Sequence, residues 1–304
     1  MMHQPNLHTL FNPKGIAVIG ASTHPGKFGF VALHNVLASG FDGNIFATNP
    51  KLPEILGIQT LKSVDRIPKD SIDVAMICLG PKQTIAVLPE LAEKGVKAGF
   101  VVSGGFRESG AEGVELEHEL VQVANSLGIT IAGPNGQGFV STPANLCSQI
   151  VSPYPPMGNI SIASQSGNIL SAMLNLSRAK NIGIARAISI GNQAQLGVAD
   201  YIRYFGTDSE TKVVVAYVEG LPNGRDFYDS LKEVSNSKPV IVIRGGTTSD
   251  GAKAASSHTG SMASDQKIFE TAVLQAGGIL AMTPMKHLNL PQLSLQSRCL
   301  SAEK

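Results

Sequence analysis

The segment KAASSHTGSMAS, residues 253–264, sets a lone histidine among residues with almost no side chain to pack it. Ser256, Ser257, Thr259, Gly260 and Ser261 supply hydroxyls and backbone rather than volume. An imidazole that fills a core needs bulky neighbours, so His258 has the setting of a ring that receives something polar or has to move. Metal ligation fits poorly, because no second histidine stands three or four residues away and Cys78, Cys147 and Cys299 lie elsewhere. Glu219, in AYVEG, closes an apolar run where a sheet would present its carboxyl edge. A carboxylate there can accept the Nδ1–H of an imidazole, leaving Nε2 as the nucleophile and stabilising positive charge on the ring. Without such an imidazole it reads as a helix cap or a surface group.

Ser164, Gln165, Ser166 and Gly167 stand between a strand-like and a helix-like run in IASQSGN. Hydroxyls and N–H groups at a helix start make a phosphate seat aided by the helix dipole. The same residues serve equally well as an ordinary cap. A serine hydrolase would need G-x-S-x-G, and ASQSGN lacks the first glycine. Near the N-terminus, GASTHPGKFG follows the first strand and lets backbone approach an anion, although it is not a clean G-x-G-x-x-G. After the second strand an NAD site wants a carboxylate for the ribose hydroxyls, whereas ATNPK places Lys51 there. A lysine suits a ligand with phosphate near its adenosine end, coenzyme A or less well NADP; otherwise it is a solvated loop charge. The strand ends CLGPK, VVSGGF and AGPNGQG are all small or polar, as a ligand groove along one sheet edge would be.

The elements that must position these groups follow an α/β rhythm. GIAVIGA (15–21), NIFATN (44–49), IDVAMICL (72–79), AGFVVSGG (98–105) and GITIAGPN (128–135) read as buried strands. Helical spacing occupies the stretches between them, and Pro89 predicts a kink or a late start in the middle one. SPYPPMGN (152–159) suits a linker, and the rhythm then restarts with strands at 159–164, 185–191, 212–220 and 239–246. Two doubly wound domains are expected, residues 1–150 and 155–283, with the tail 284–304 unassigned. The 304 residues carry a net charge of +1, which gives no field to attract nucleic acid or an acidic membrane. Three unpaired-looking cysteines, no signal-like leader and no bilayer-length apolar run make a cytoplasmic protein the expectation.

Taken together, VIGAS, GFDGNIFATNPK, GGFRESG, AGPNGQG, IASQSGN, SIGNQA, AYVEG and SSHTGSMA, in that order over about residues 11–281, resemble one family. It is the α subunit, or α half, of the nucleoside-diphosphate-forming acyl-CoA synthetases, such as the ADP-forming acetate–CoA ligases; succinyl-CoA synthetase α chains are more distant. The resemblance implies an N-terminal Rossmann-like CoA-binding domain and a flavodoxin-like ligase domain. By position, Gly20, Ala21, Ser22, Pro25, Gly26, Lys51, Pro81, Ser103 and Gly104 match the loops that contact coenzyme A. His258 matches the histidine phosphorylated in turnover, Glu219 its supporting glutamate, and Ser164 to Gly167 the seat for the phosphoryl group. The implied reaction joins a small carboxylic acid to coenzyme A through acyl phosphate and phosphohistidine. ATP or ADP with magnesium sits on a separate ATP-grasp β subunit, toward which the histidine segment must travel. The chain departs from the family pattern at Gly136, where cysteine is usual, at Gln195, where aspartate is common, and at SMAS after the histidine motif. No ATP-grasp sequence is present. The alternatives are a regulatory CoA-binding protein derived from the family and an NADP-dependent oxidoreductase, for which no hydride-transfer acid/base pair is visible.

Overall fold

The computed structural model describes residues 5–151, 154–245 and 266–281, so His258 and the tail 284–304 lie outside the described residues. The chain forms two compact units, Met1–Tyr154 with Ile188–Leu196, and Pro155–Ala187 with Gly197–Lys304.

In the first unit α1 (Leu7–Phe11) leads into β1 (Gly15–Ile19), α2 (Phe28–Ala38) and β2 (Asn44–Thr48). A two-stranded antiparallel pair, β3 (Glu54–Ile55) and β4 (Ile58–Gln59), precedes β5 (Val74–Ile77), α3 (Pro81–Glu93), β6 (Ala98–Val101), α4 (Ala111–Leu127) and β7 (Thr130–Ala132). The sheet order is β2-β1-β5-β6-β7, and every neighbouring pair is parallel. Every residue of β1, β5 and β6 is buried, as expected of strands covered by helices on both faces. Ile19, Ile77, Leu88, Val101, Leu120 and Ile131 belong to one continuous core. Pro89 neither delays nor divides α3, which starts at Pro81 and runs through Pro89 to Glu93. The proline stands on the exposed side, where water can take the carbonyl it leaves without an N–H partner. The first unit also contains β8 (Gly138–Ser141) and β9 (Leu146–Gln149), an antiparallel hairpin that the sequence reading did not anticipate.

The second unit continues with β10 (Met157–Ser164), α5 (Gly167–Lys180), β11 (Ile184–Ser189), α6 (Val198–Thr207), β12 (Val213–Val218), α7 (Gly224–Ser235), β13 (Val240–Arg244), α8 (Gln266–Gln275) and β14 (Ile279–Ala281). Its strands lie in the row β14-β13-β12-β10-β11. Pairs β10–β12, β12–β13 and β13–β14 are parallel. Inside this unit the Arg186 guanidinium meets the Asp208 carboxylate in two bonds of 3.3 and 3.4 Å, with side chains 2% and 6% exposed. Thr211 donates to the same carboxylate at 2.7 Å.

Strand order decides where each unit can hold a ligand. From β1 the chain winds outward to β2 and then returns to place β5 on the other side of β1. From β10 it goes to β11 and then places β12 on the other side of β10. At each reversal the loops leaving adjacent carboxyl ends diverge to opposite faces and open a crevice.

Candidate functional site

The first crevice holds a cavity of about 470 Å³, of the size small-molecule sites take. Gly20, Ala21, Ser22, Gly26, Lys27, Phe28 and Gly29 line it from the β1–α2 loop, Asn49 from the end of β2, and Cys78 and Leu79 from the end of β5. The loop is stitched to β2. Gly20 N–H donates to Thr48 Oγ1 at 3.3 Å and Ala21 N–H to the Thr48 carbonyl at 3.0 Å. The Asn49 amide then donates to the Ala21 carbonyl at 2.8 Å, while its own oxygen accepts from the N–H groups of Lys51 and Leu52 at 2.9 Å each. His24 Nδ1 accepts from Gly26 N–H at 3.1 Å, closing the turn. Two glycines are required by close approach. Gly20 has a φ of +85°, and a Cβ on Gly29 would stand 2.1 Å from the Gly20 carbonyl oxygen. The first turn of α2 therefore lies against the end of β1, and its N–H groups and dipole face the cavity, an arrangement suited to phosphate. Burial raises the Cys78 thiol to about 12, so it lines this cavity as a neutral group.

In the second crevice, register pairs Ser164 at the end of β10 with Tyr217 of β12. Ser164 Oγ donates to the Ser166 carbonyl at 2.7 Å, and Ser166 Oγ accepts from Ile169 N–H at 3.4 Å as the cap of α5. Gln165 is buried and clamps the neighbouring loop. Its oxygen accepts from the N–H groups of Glu219 and Gly220, and its nitrogen donates to the Gly220 carbonyl at 2.7 Å. Glu219 is half-buried just beyond β12, two positions after Tyr217 and so on the same strand face. Burial first, then the negative charge of Glu219, pushes the Tyr217 phenol up to about 12.

Two family models match the chain, the CoA binding domain over residues 14–142 and the succinyl-CoA ligase like flavodoxin domain over residues 157–293. The chain carries these two domains in that order and is similar along both to ADP-forming acetate–CoA ligases. It is 40% identical over 282 residues to acetate–CoA ligase (ADP-forming) I subunit alpha of Pyrococcus furiosus, covering 91% of this chain and 61% of that subunit. It is 41% identical over 271 residues to the acetate–CoA ligase (ADP-forming) of Methanocaldococcus jannaschii, covering 89% of this chain and 38% of that enzyme. The solved dinucleotide-forming acetyl-coenzyme A synthetase 1 of Candidatus Korarchaeum cryptofilum, in complex with phosphate and ADP, superposes with a TM-score of 0.85 at 39% identity. That match covers 91% of this chain and 60% of the solved one. The chain thus spans about three-fifths of the alpha subunit it matches.

The residues singled out from sequence fall into separate groups. Gly20, Ala21, Ser22 and Gly26 line the cavity; Pro25, Lys51, Pro81, Ser103 and Gly104 are not among its lining residues. Lys51 is exposed two positions past Asn49, and Ser103 accepts through its carbonyl from Asn135 N–H at 3.1 Å. Ser164 to Gly167 and Glu219 come together at the second crevice. Sequence reasoning missed Lys27, Phe28, Asn49 and Tyr217; the signal for Tyr217 was its place two residues before Glu219 on the same strand face.

The family departures have local explanations. A Cβ on Gly136 would lie 2.6 Å from Phe100 Cζ and 2.7 Å from the Ser189 carbonyl oxygen, so the first unit leaves no room there for a thiol. Gln195 accepts from Ile131 N–H and donates to Asn125 Oδ1 at 2.7 Å, pinning segment 188–196 to the end of α4 and to β7. Among the described residues there is no cluster of His, Cys, Asp and Glu able to hold a metal, and no helix long and apolar enough to cross a membrane.

Proposed function

We propose that the chain is the α subunit, or α half, of a cytoplasmic ADP-forming acyl-CoA ligase that works with an ATP-grasp β subunit. The observation that carries this reading is Glu219, whose backbone is held by the Gln165 clamp beside the start of α5. A protein that only bound coenzyme A would need no such carboxylate. The glycine-lined cavity of the first unit fits the phosphate-bearing part of coenzyme A, with α2 N–H groups, Lys27 and, nearby, Lys51 to meet its charge.

Thioester formation from a carboxylate is uphill and has to be coupled to ATP. With magnesium-bound ATP on the partner, His258 Nε2 attacks the γ-phosphorus and ADP leaves. Glu219 accepts the ring's Nδ1–H and balances the imidazolium charge. The N–H groups at the α5 start, Gly167 among them, receive the phosphoryl oxygens while Ser166 holds the helix end. A carboxylate oxygen of the acid then attacks phosphorus, the N–P bond breaks and the electron pair returns to the ring. The thiolate of coenzyme A attacks the acyl carbon of the acyl phosphate, and inorganic phosphate departs with the C–O electrons. Each step runs in reverse when acyl-CoA, phosphate and ADP are supplied.

The test isolates the complex by a tag on this chain and supplies acetyl-CoA with ³²P-phosphate in the absence of ADP. The expected result is acid-labile label on this chain, abolished by His258→Ala with coenzyme A binding intact. Label that persists in His258→Ala moves the phosphorylation site elsewhere. A wild-type chain that binds coenzyme A and takes no label from any of a panel of acyl-CoAs is the regulatory CoA-binding alternative. Calorimetric titration with NADP against coenzyme A excludes the oxidoreductase when only the latter binds.

A further inference from the structure

We infer that His24 is a proton-linked binding residue of the first cavity, one that tightens the hold on the phosphates of coenzyme A when its ring is protonated. The inference rests on the reading that this cavity takes coenzyme A. His24 is exposed in the β1–α2 loop, between the lining residues Ser22 and Gly26. Its own N–H donates to Ser22 Oγ at 3.0 Å, its carbonyl accepts from Lys27 N–H at 3.0 Å, and its Nδ1 accepts from Gly26 N–H at 3.1 Å. A Cβ on Gly26 would stand 3.2 Å from His24 Cε1 and 3.3 Å from its Nδ1, so the imidazole lies against the cavity wall. A backbone N–H only donates, so Nδ1 carries no proton in this arrangement and the ring is neutral.

Protonation changes the loop in two ways. Nδ1 becomes a donor, and its bond with Gly26 N–H cannot persist. That N–H is then free for a phosphate oxygen, and a hydrogen bond to a charged group is stronger than the neutral bond given up. The imidazolium also adds positive charge beside a cavity whose lining holds no Asp or Glu. Both changes favour the anion. Histidine changes charge between pH 5 and 8, so affinity rises as pH falls through that range and is lost again as pH rises. The other ionisable groups around the cavity do not supply this dependence. Lys27 stands in the same loop and Lys51 beyond β2, and a lysine keeps its charge over that range. Cys78, at the end of β5, stays a neutral thiol. His34, further along α2, is not a lining residue and has its Nδ1 3.3 Å from Asn35 Oδ1.

The test titrates the full wild-type chain and His24→Asn with coenzyme A by calorimetry at pH 8 and pH 5.5, with circular dichroism to establish that both are folded. An asparagine oxygen can accept from Gly26 N–H as the neutral ring does, and it does not titrate. The phosphates of the ligand change ionisation in the same interval and His34 is present in both proteins, so the quantity read is the ratio of the two affinities. That ratio, wild type over variant, is close to one at pH 8 and rises about tenfold at pH 5.5, the difference between a charged and a neutral hydrogen bond. A ratio that rises by less than about threefold, or that falls on acidification, overturns the inference alone. A wild-type chain that binds no coenzyme A at either pH overturns the reading of the cavity and takes this inference with it.

Discussion

Replacing Gly29 by alanine puts one methyl group where the first crevice has no space. Its Cβ would lie 2.1 Å from the Gly20 carbonyl oxygen, 2.9 Å from the Gly20 carbonyl carbon and 3.0 Å from Ala21 Cα. All three are backbone atoms, so no rotamer change relieves the clash. Real Cβ atoms essentially never come closer than 3.0 Å, and the first turn of α2 must therefore separate from the end of β1 by about 1 Å. Both edges line the cavity, so donors aimed at one anion are pulled apart by that distance. A hydrogen bond of about 2.9 Å stretched by 1 Å is lost. Each such bond to a charged group is worth about 1.5–3 kcal/mol, so the affinity for coenzyme A should fall about 10- to 100-fold. Calorimetric titration with coenzyme A measures this, with circular dichroism to establish that the variant is folded. Gly224→Ala is the control, since its Cβ meets nothing within 4 Å. A folded Gly29→Ala protein that binds coenzyme A within about threefold of wild type would refute the placement of the ligand against α2.

Asp208→Ala should cost about 3–5 kcal/mol, because the buried Arg186 guanidinium would lose the carboxylate that balances its charge. Scanning calorimetry should show the melting temperature drop by about 10 °C, and Arg186→Met with Asp208→Leu should recover most of it; a single-variant drop under about 2 °C would sink the argument. Cys147, 2% exposed and held near 12 by burial, should alkylate roughly a thousandfold more slowly at pH 8 than in unfolded protein, since the thiol rather than the thiolate dominates. Peptide-resolved mass spectrometry after iodoacetamide checks this, and folded-state labelling of Cys147 as fast as in urea would show that its thiol is not desolvated.

Much of the local organisation was legible in the residue order. The β-branched runs of β1, β5, β6 and β12 are buried at every position, and runs of that kind between amphipathic stretches allow little besides covered parallel strands. Gly20 and Gly29 could be read as backbone that has to approach something, and Glu219 as a carboxylate at a strand end. The strand at 128–135 was drawn too long, because only Thr130–Ala132 pairs with β6. The hairpin β8–β9 was invisible, since Gly138–Ser141 and Leu146–Gln149 are buried throughout and show no alternation.

What the sequence by itself determined was the kind of element and the need for small residues at particular turns. These follow from side-chain period and from φ, which are properties of a few neighbouring residues. Only the tertiary structure decided which ends became neighbours. A right-handed crossover can carry the next strand to either side of its predecessor, and local residues do not state which. That choice set β5 beside β1 and β12 beside β10, opening the two crevices. It also brought the Gln165 amide onto the backbone of Glu219 and Gly220, residues more than fifty positions away. A long-range hydrogen bond depends on where two separately encoded strands come to rest, so it exists only once the sheet has formed.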